Sequence, residues 1–460
     1  MILSPQKLTL EQWDGHWDLL ARQGLLRPEH CGPLSRHVSD GDTRLLALRF
    51  DNSPAALQLW NLLLTEQDRL WQWKEGGKRL VGTMKDLGTV PVMAYSLDDL
   101  VAFYPDGAWW TPCVMEMNQQ LLQIADSLGI DESFCPVRAM LGAFVNRNHF
   151  PIPDLLICSV GATCDDFSAI AQRLNGLGFP ILWWEIPHRR PPEPWEEAVQ
   201  IGNGLVAPAS LVSLVRNELD RVRSALSALA GTDLDDLKLQ AAISRANQVR
   251  SLLASLNRLA FTATLSPLPA LEVLIAQMLA IHFCSDLGKT VDVLRALLAQ
   301  AKQRVDAGLG YGRPDDVRIF WVNPPADIKV MNLVEDYGGR ICGTDFMFTH
   351  ALDPIDLDLP PMDALARIAL ADPMVGPVCD RARRIAAEIQ RFGCEAVVVC
   401  RIPGASHCAT EGSLIAQYLR QTCELPVVEV EVPSLVDTTV HVFENRIKAL
   451  IETAKARRRG

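Results

Sequence analysis

The sequence predicts an α/β protein with two doubly wound parallel-sheet domains related as a distant repeat, a helical connector between them and a helical N-terminal layer. Two observations support this fold class. In two separate parts of the chain, short apolar runs typical of buried strands alternate with amphipathic helical stretches, which favours parallel sheets covered by helices. Between these parts, apolar residues recur at i, i+3, i+4 and i+7, which indicates helices alone.

The first two predicted units lie in the N-terminal half. Residues 1–74 carry Leu and Trp at helical spacing, as in LQLWNLLLTEQDRLWQW, and predict the N-terminal helical layer. Residues 75–206 predict the first α/β domain, in which KRLVGTM, AWWTPCVM and FPILWWEIP have the apolar texture of strands. Within this domain, SLDDLVAFY predicts a helix with Ser96 at its N-cap.

The other two predicted units follow in the same way. Residues 207–307 predict the helical connector, with amphipathic stretches such as LVSLVRNELDRVRSALSAL. Residues 308–460 predict the second α/β domain, whose strands are VRIFWVN, RICGTD, EAVVVC and LPVVEVEVP. Helices are expected between these strands, which gives the alternation that a parallel sheet requires.

A short internal match relates the two α/β domains. Residues 168–174 (SAIAQRL) and 413–419 (SLIAQYL) agree at five of seven positions, and each stretch follows a cysteine by a few residues. Both predicted helices lead to a strand bracketed by prolines seven residues apart. The shared order of strand, cysteine loop, helix and strand predicts two structural copies that face each other across a cleft.

Composition excludes several classes of partner. The net charge of -11, from 44 basic and 55 acidic residues, argues against a nucleic-acid binder, because phosphate contacts need a basic surface. The longest apolar window, residues 268–283, contains Glu272 and is too short to span a bilayer. No basic stretch leads into an apolar run at the start of the sequence, which argues against a secretory signal. We therefore expect a cytoplasmic protein without nucleic-acid or membrane partners.

Four cysteines lie where ligands bind in parallel sheets. Cys158 and Cys164 follow one predicted strand, and Cys400 and Cys408 follow another, at carboxyl ends that lead into helices. The positive end of a helix dipole favours the thiolate that binds metal. The alternative is that these are packing residues in crowded turns. The chain has twelve cysteines but no Cys-x-x-Cys pair or zinc-ribbon spacing, so a structural zinc site is disfavoured.

Four segments carry a family resemblance: ESFCPVRAMLGAF, PDLLICSVGATCDDF, CRIPGASHCATEGSLIAQYL and RIKALIETAKARR. In this order and spacing, across residues 78–458, they resemble the 2-hydroxyacyl-CoA dehydratase and benzoyl-CoA reductase family. The resemblance implies a D-component type of iron–sulfur subunit that holds one [4Fe–4S] cluster through three cysteines. The family pattern maps onto Cys135, Cys164 and Cys408 of this chain.

The resemblance also implies a reaction. Three thiolates leave one iron of a four-iron cluster without a protein ligand, and that iron can bind a substrate oxygen. In the dehydratases, one low-potential electron converts the thioester carbonyl of a 2-hydroxyacyl-CoA to a ketyl radical anion, which expels the neighbouring hydroxyl group. In the reductases, such electrons attack the ring of benzoyl-CoA or a similar aryl-CoA. Sequence alone does not separate these two reactions.

The implied partners are proteins. The family pairs each subunit with a related one, as a heterodimer or homodimer, and receives electrons from an ATP-hydrolysing, actin-like activator. The present chain is not that activator, because LGKT at residues 287–290 lacks the earlier glycine of a phosphate-binding loop. A rival interpretation is a non-catalytic, electron-relay subunit, in which the partner binds the substrate.

Further residues are open to two interpretations. Cys158 and Cys400 are candidate additional ligands, as in the double-cubane branch of the family, or they are buried packing residues. His407, next to Cys408, is a candidate for catalytic proton transfer or a hydrogen-bonding loop residue. The segment HRRPPEPW resembles an exposed, proline-stiffened loop, in which Arg189 and Arg190 are candidates for binding CoA phosphates.

Overall fold

The computed structural model describes residues 4–16, 21–22, 48–85, 88–105, 119–147, 149–432 and 440–459. The strands within these ranges are β1 Lys7–Leu8, β2 Phe50–Asp51, β3 Arg79–Met84, β4 Leu100–Phe103, β5 Leu155–Gly161, β6 Ile181–Ile186, β7 Ala198–Gly202, β8 Leu205–Pro208, β9 Val317–Val322, β10 Gly339–Asp345, β11 Ala396–Arg401 and β12 Val427–Glu431. The helices of the N-terminal part and first α/β domain are α1 Leu10–Asp14, α2 Pro54–Leu64, α3 Glu66–Glu75, α4 Val90–Ala94, α5 Gln119–Ser127, α6 Ala139–Asn146 and α7 Asp165–Gly176. The later helices are α8 Ala209–Ala230, α9 Asp236–Thr262, α10 Ala270–His282, α11 Leu287–Asp306, α12 Lys329–Asp336, α13 Pro361–Leu370, α14 Val378–Phe392, α15 Ser406–Thr422 and α16 Val440–Arg457.

Two four-stranded parallel sheets form the centre of the molecule. The first sheet has the order β4-β3-β5-β6 and the second has the order β10-β9-β11-β12. Within each sheet, the chain therefore visits the strands in the same 2-1-3-4 spatial order. The predicted fold class, two doubly wound domains related as a repeat, is confirmed. In both sheets the strand order reverses between the first and third strands, which is where ligands bind in this architecture.

A shared backbone conformation marks the repeat. Lys85 follows β3 and Asn323 follows β9, and both residues have a φ of 69°, in the left-handed region that non-glycine residues rarely enter. The strand register shows which residues of the two sheets occupy equivalent positions. Met84 lies opposite Cys158 in the first sheet, whereas Val322 lies opposite Val399 in the second. The counterpart of Cys158 is therefore Val399.

The helical connector joins the sheets through one continuous apolar core. Helices α8 to α11 lie between the two sheets in sequence and bury residues such as Leu219, Leu253 and Leu294 in this core. A second core cluster lies on the other face of the first sheet, with Cys158 among its members. Ile402 and Ala405 of the second domain also belong to it, so the two domains pack together here.

Some sequence predictions are wrong in detail. The segment with Ser96 was predicted as a helix, but its residues Leu100–Phe103 form strand β4, which pairs with β3. This apolar run is too short to indicate a helix. The Ser96 hydroxyl donates to the carbonyl of Val92 and caps nothing. Unpredicted antiparallel pairs join β1 to β2 and β7 to β8. The predicted strand AWWTPCVM lies outside the described residues.

The described helices also bear on membrane partners. None of them is both long and apolar enough to cross a lipid bilayer.

A candidate cysteine site where the two sheets meet

Cys164 lies at the start of the helix that follows β5. It is the N-cap residue of α7; its side chain accepts no capping hydrogen bond, but the nearby backbone N–H groups of Phe167 and Asp166 favour its thiolate and oppose the rise in its pKa. The first-turn amides of a helix are otherwise without intrahelical partners, and they stabilise negative charge on an atom at the cap. Helix α7 therefore places this thiol at its positive N-terminal end.

Cys135 is held by a compact loop about thirty residues earlier in the chain. It precedes the 3₁₀ turn Pro136–Arg138, which continues into α6. The Arg138 guanidinium donates to the carbonyl of Phe134 at 3.3 Å and also pairs with Asp126 at 3.3 Å. This arginine, which belongs to the motif that carried the family resemblance, thus fixes the backbone just before the cysteine.

One buried carboxylate connects these two cysteines. The backbone N–H of Cys135 donates to Oδ1 of Asp166 at 3.4 Å, and the thiol of Cys164 donates to Oδ2 of the same residue at 3.5 Å. Both cysteines are half-buried, whereas Asp166 is 5 % exposed. Asp166 therefore brings the first two predicted ligands together.

The loop before the third predicted ligand packs against the Cys135 loop. A Cβ at Gly404 would lie 2.5 Å from the carbonyl oxygen of Phe134 and 3.0 Å from that of Glu132. Helix α15 begins two residues later at Ser406, so the backbone of Cys408 lies in its first turn. The side chain of Cys408 is outside the described set. The three segments that carry the predicted ligands therefore lie close together where the first and second domains meet.

Burial keeps the thiols of Cys158 and Cys164 protonated. Burial raises the pKa of Cys164 to about 12, and the Asp166 carboxylate adds to this effect. Burial likewise raises the pKa of Cys158 to about 12. The ammonium of Lys85 opposes both shifts, and burial lowers the pKa of Lys85 itself. Metal binding at such thiols releases protons, because the ligand is the thiolate.

The two additional cysteines lie inside strands. Cys158 is fully buried in β5, on the face that packs with Cys135 and Cys164, and its thiol donates to the carbonyl of Ser159 at 3.3 Å. Cys400 is fully buried in β11 and belongs to the other core cluster. The structure thus brings Cys158 close to the predicted ligands and keeps Cys400 in a different part of the core.

His407 occupies the first turn of α15 and is half-buried. It lies within electrostatic range of Asp372, a buried carboxyl whose pKa burial raises to about 7, while the backbone of Met374 and the charge of His407 oppose that shift. His407 is thus next to Cys408 in the chain and within electrostatic range of one acidic group.

Sequence reasoning missed three residues around the site. Lys85, with its Nζ donating to Ser168 Oγ at 2.8 Å, and Asp166 are two of them. The third is Arg381, which is fully buried and donates to Asp345, Glu411 and Asn323 at 2.8, 2.9 and 2.6 Å. Asp166 alone carried a signal, because it stands two residues after a predicted ligand at a helix start.

The two arginines considered for CoA phosphates are already engaged. Arg189 is 2 % exposed, where an exposed loop was predicted. Its guanidinium donates to the carbonyl of Leu370 at 2.6 Å and to Asp380 at 2.9 Å. The exposed Arg190 pairs with Glu196 through two short hydrogen bonds.

The donor set agrees in type with an iron–sulfur ligand set. Among the described side chains, no three His, Cys, Asp or Glu residues are arranged to hold a metal ion. Cys135 and Cys164 supply two thiols in that set, and the backbone of Cys408 lies in the segment that packs against them. Soft sulfur ligands at a half-buried junction fit an iron–sulfur group in their chemistry.

Comparison with known proteins identifies the family. A family model described as "2-hydroxyglutaryl-CoA dehydratase, D-component" matches residues 93–454, a range that includes Cys135, Cys164 and Cys408. No curated protein matches the chain. The match covers most of the chain and agrees with the resemblance found in the sequence. The chain therefore belongs to the family of 2-hydroxyglutaryl-CoA dehydratase D-components and is a subunit of an enzyme.

Proposed function

We propose that this chain is the cluster-bearing subunit of an oxygen-sensitive, cytoplasmic enzyme that acts on a CoA thioester. Cys135, Cys164 and Cys408 would hold a [4Fe–4S] cluster. The observation that carries this proposal is the convergence of three cysteine segments, through the Asp166 bridge and the contact between Gly404 and Phe134. The family match covers all three segments that carry these residues.

The surrounding residues support the binding of a cluster in three ways. The amides of α7 stabilise a thiolate at Cys164, and Asp166 holds the Cys135 loop against the same helix. Lys85 is 4 % exposed and places a positive charge near Cys164, which offsets the negative charge of thiolate ligands. A cluster bound there would supply low-potential single electrons and one iron without a protein ligand.

The reaction we propose is the radical dehydration of a 2-hydroxyacyl-CoA. The description of the family as a dehydratase component favours it over the alternative, ATP-coupled reduction of benzoyl-CoA or another aryl-CoA. Both reactions use the same partners: a related subunit, as a heterodimer or homodimer, and an ATP-hydrolysing activator. His407 is our candidate for proton transfer to the substrate, since it lies half-buried beside Cys408.

The double-cubane alternative would recruit Cys158 and Cys400 as ligands. Cys158 has an observation in its favour, because it shares a core cluster with Cys135 and Cys164 and is coupled electrostatically to Cys164. Cys400 is buried within β11 in the other core cluster. The single cluster is therefore the better supported form.

Iron and acid-labile sulfide, measured after strictly anaerobic purification and reconstitution, test the ligand set. We expect about four irons per chain, and loss of that iron in Cys135→Ser, Cys164→Ser and Cys408→Ser. Cys423→Ser is the matched control, because Cys423 is half-buried and lies at the opposite end of α15 from Cys408. Full iron in all three ligand variants would contradict the assignment, and about eight irons in the parent chain would favour the double cubane.

Product analysis with partner, activator and ATP then tests the reaction. We expect the 2-enoyl-CoA product from a 2-hydroxyacyl-CoA and no ring reduction of benzoyl-CoA. The reverse result would move the assignment to the reductases. A cluster spectrum that no acyl-CoA alters would favour the electron-relay interpretation, in which the partner subunit binds the substrate.

A further inference from the structure

One cavity of about 580 Å³ lies between the connector, the β7–β8 hairpin and α14. Its volume is within the range typical of small-molecule and cofactor sites. Six arginines but only three acidic residues line it, which leaves three positive charges in excess in a protein whose net charge is -11. The lining arginines are Arg189, Arg258, Arg381, Arg383, Arg384 and Arg391, and the acidic residues are Asp353, Asp380 and Glu388.

Two helices face each other across this cavity. Helix α9 contributes Asn257, Arg258 and Phe261, which share one helical face by their spacing. Helix α14 contributes a second face on which Arg384 and Arg391 are two turns apart. The cavity is thus built from regular elements and does not depend on a loop conformation.

Three of the six guanidinium groups are committed to fixed partners in the wall of the cavity. Arg189 bonds the carbonyl of Leu370, and Arg381 bonds three acceptors at the end of the second sheet. Arg384 forms a two-pronged pair with Asp353 at 2.7 and 2.8 Å. These three arginines shape the wall.

The other three arginines are exposed to the cavity and weakly held. Arg258 is exposed, and among the residues the structure describes no carboxylate forms an ion pair with it. Arg383 pairs with Asp380 and Arg391 with Glu388, each at 3.0 Å and one turn away. Arg383 also donates to Cys379 Sγ at 3.5 Å, and the Arg391 guanidinium lies over the Phe392 ring at 5.1 Å. Pairs of this kind contribute little, so their donors turn to a stronger anion at small cost.

The remaining lining fits a nucleotide. The rings of Phe261 and Phe392 meet edge to face at 5.2 Å and give one apolar wall, and Asn257 adds an amide. Arginine forks match phosphate oxygens in geometry as well as in charge. Arg381 lines the cavity and also bonds Glu411, in the helix that carries Cys408, so the cavity and the cysteine site share this wall.

We propose that this cavity binds a phosphorylated adenine nucleotide, the adenosine 3′,5′-bisphosphate end of CoA, with Arg258, Arg383 and Arg391 on its phosphates. The choice of CoA as the source of that nucleotide rests on the function proposed above. The cavity, its charge and its apolar wall do not depend on the cluster.

Calorimetric titration of the full-length chain with adenosine 3′,5′-bisphosphate tests the site. Arg391→Ala is expected to weaken binding about tenfold, as the loss of one charge-assisted contact does. Arg295→Ala is the matched control, because both arginines are 58 % exposed and pair with a carboxylate one turn away. The absence of binding, or equal weakening by both variants, would overturn the site.

Two further measurements identify which nucleotide binds and test the cavity separately from the proposed cluster. CoA should bind in competition with the bisphosphate and more tightly than ADP or ATP; tighter binding of ADP or ATP would overturn the assignment to CoA. Iron content is measured on the same samples. If the chain binds the bisphosphate but holds no iron, the nucleotide site is supported and the proposed cluster is contradicted. If the chain holds iron but does not bind the bisphosphate, the cluster is supported and the nucleotide site is overturned.

Discussion

At the scale of single residues, Asp166 connects the two cysteine loops of the first domain. It accepts hydrogen bonds from the backbone of one predicted ligand and from the thiol of another. Its neighbour Asp165 is exposed in the same helical turn and provides a matched comparison. A single oxygen pair thereby fixes the relative position of two loops that are distant in sequence.

We expect Asp166→Asn to lower the free energy of unfolding of the iron-free protein by about 1–2 kcal/mol, because one buried donor loses its acceptor. Asp165→Asn should change it by less than about 0.5 kcal/mol. Urea denaturation followed by tryptophan fluorescence measures both. Equal values for the two variants would show that Asp166 does not bridge the cysteine loops.

Arg381 provides a second prediction at this scale. Removing one partner of a buried ion pair leaves the other charge uncompensated, so Arg381→Gln should destabilise the protein by about 3–5 kcal/mol. Arg383→Gln, two residues away and exposed, should stay within about 0.5 kcal/mol of the parent. Denaturation midpoints that agree between the two variants would argue against the network with Asp345 and Glu411.

Residue-level prediction from the sequence succeeded where the signal was local. Cys164 was expected before a helix because the strand, the cysteine and the amphipathic stretch are contiguous, and it is the N-cap residue of α7. Arg381 was not predicted, because its acceptors are 30 to 58 residues away. The sequence placed Cys158 and Cys400 each at the end of a strand but could not show that they occupy different register positions in their sheets, because register depends on strand pairing, which the sequence does not reveal.

At the scale of elements, the two domains meet through the loops before α6 and α15. Gly404 has a φ of +79° and no room for a Cβ, while Gly129 has a φ of +81° with open space around it. Substituting each glycine by alanine therefore distinguishes the cost of backbone strain, which both share, from the cost of breaking the contact between domains, which only Gly404 makes.

We expect Gly404→Ala to cost more than Gly129→Ala, by about 2 kcal/mol beyond the 1–3 kcal/mol that left-handed strain costs either one. Gly404→Ala should also lower the iron retained after reconstitution, because it pushes apart the segments of Cys135 and Cys408. The readouts are urea denaturation and iron per chain. If both variants behave alike, the loops are not held by this contact.

Element prediction failed where tertiary pairing outweighed local preference. The acidic start and apolar end of SLDDLVAFY resemble a helix, but Leu100–Phe103 is buried at every position and pairs with β3. Such a short apolar run is ambiguous between helix and strand until its neighbour is known. The long strands and connector helices, whose patterns extend over more residues, were predicted correctly.

At the scale of the whole molecule, a buried polar cluster joins the N-terminal part to the connector and the second domain. Asp51 forms a two-pronged pair with Arg304 and accepts from the hydroxyl of Tyr311, while Glu272 accepts from Trp60 and from the backbone of Asp51. Burial, with the Asp51 charge, raises the pKa of Glu272 from 4.5 to about 8.

This raised pKa predicts a pH dependence of stability. Between pH 4.5 and 8 the folded state holds a proton that the unfolded state releases, so stability falls with rising pH by up to about 1.4 kcal/mol per unit and this contribution is lost above pH 8. Glu272→Gln should flatten the dependence, whereas exposed Glu75→Gln should preserve it. The free energy of unfolding of the parent and of both variants is measured by denaturation at pH 5.5 and pH 8. The same change in stability between the two pH values in all three proteins would contradict the prediction.

The hydrogen bond of Arg189 has a consequence for folding during synthesis on the ribosome. The arginine comes shortly after Ile186, the end of the last strand of the first sheet, but its acceptor at Leu370 comes 181 residues later. At about 5–20 residues per second, the ribosome takes roughly 10–40 s to supply that acceptor. For that time the Arg189 guanidinium group lacks this acceptor, and the loop of Cys135 lacks the Gly404 segment that packs against it, because both come from the second half of the chain.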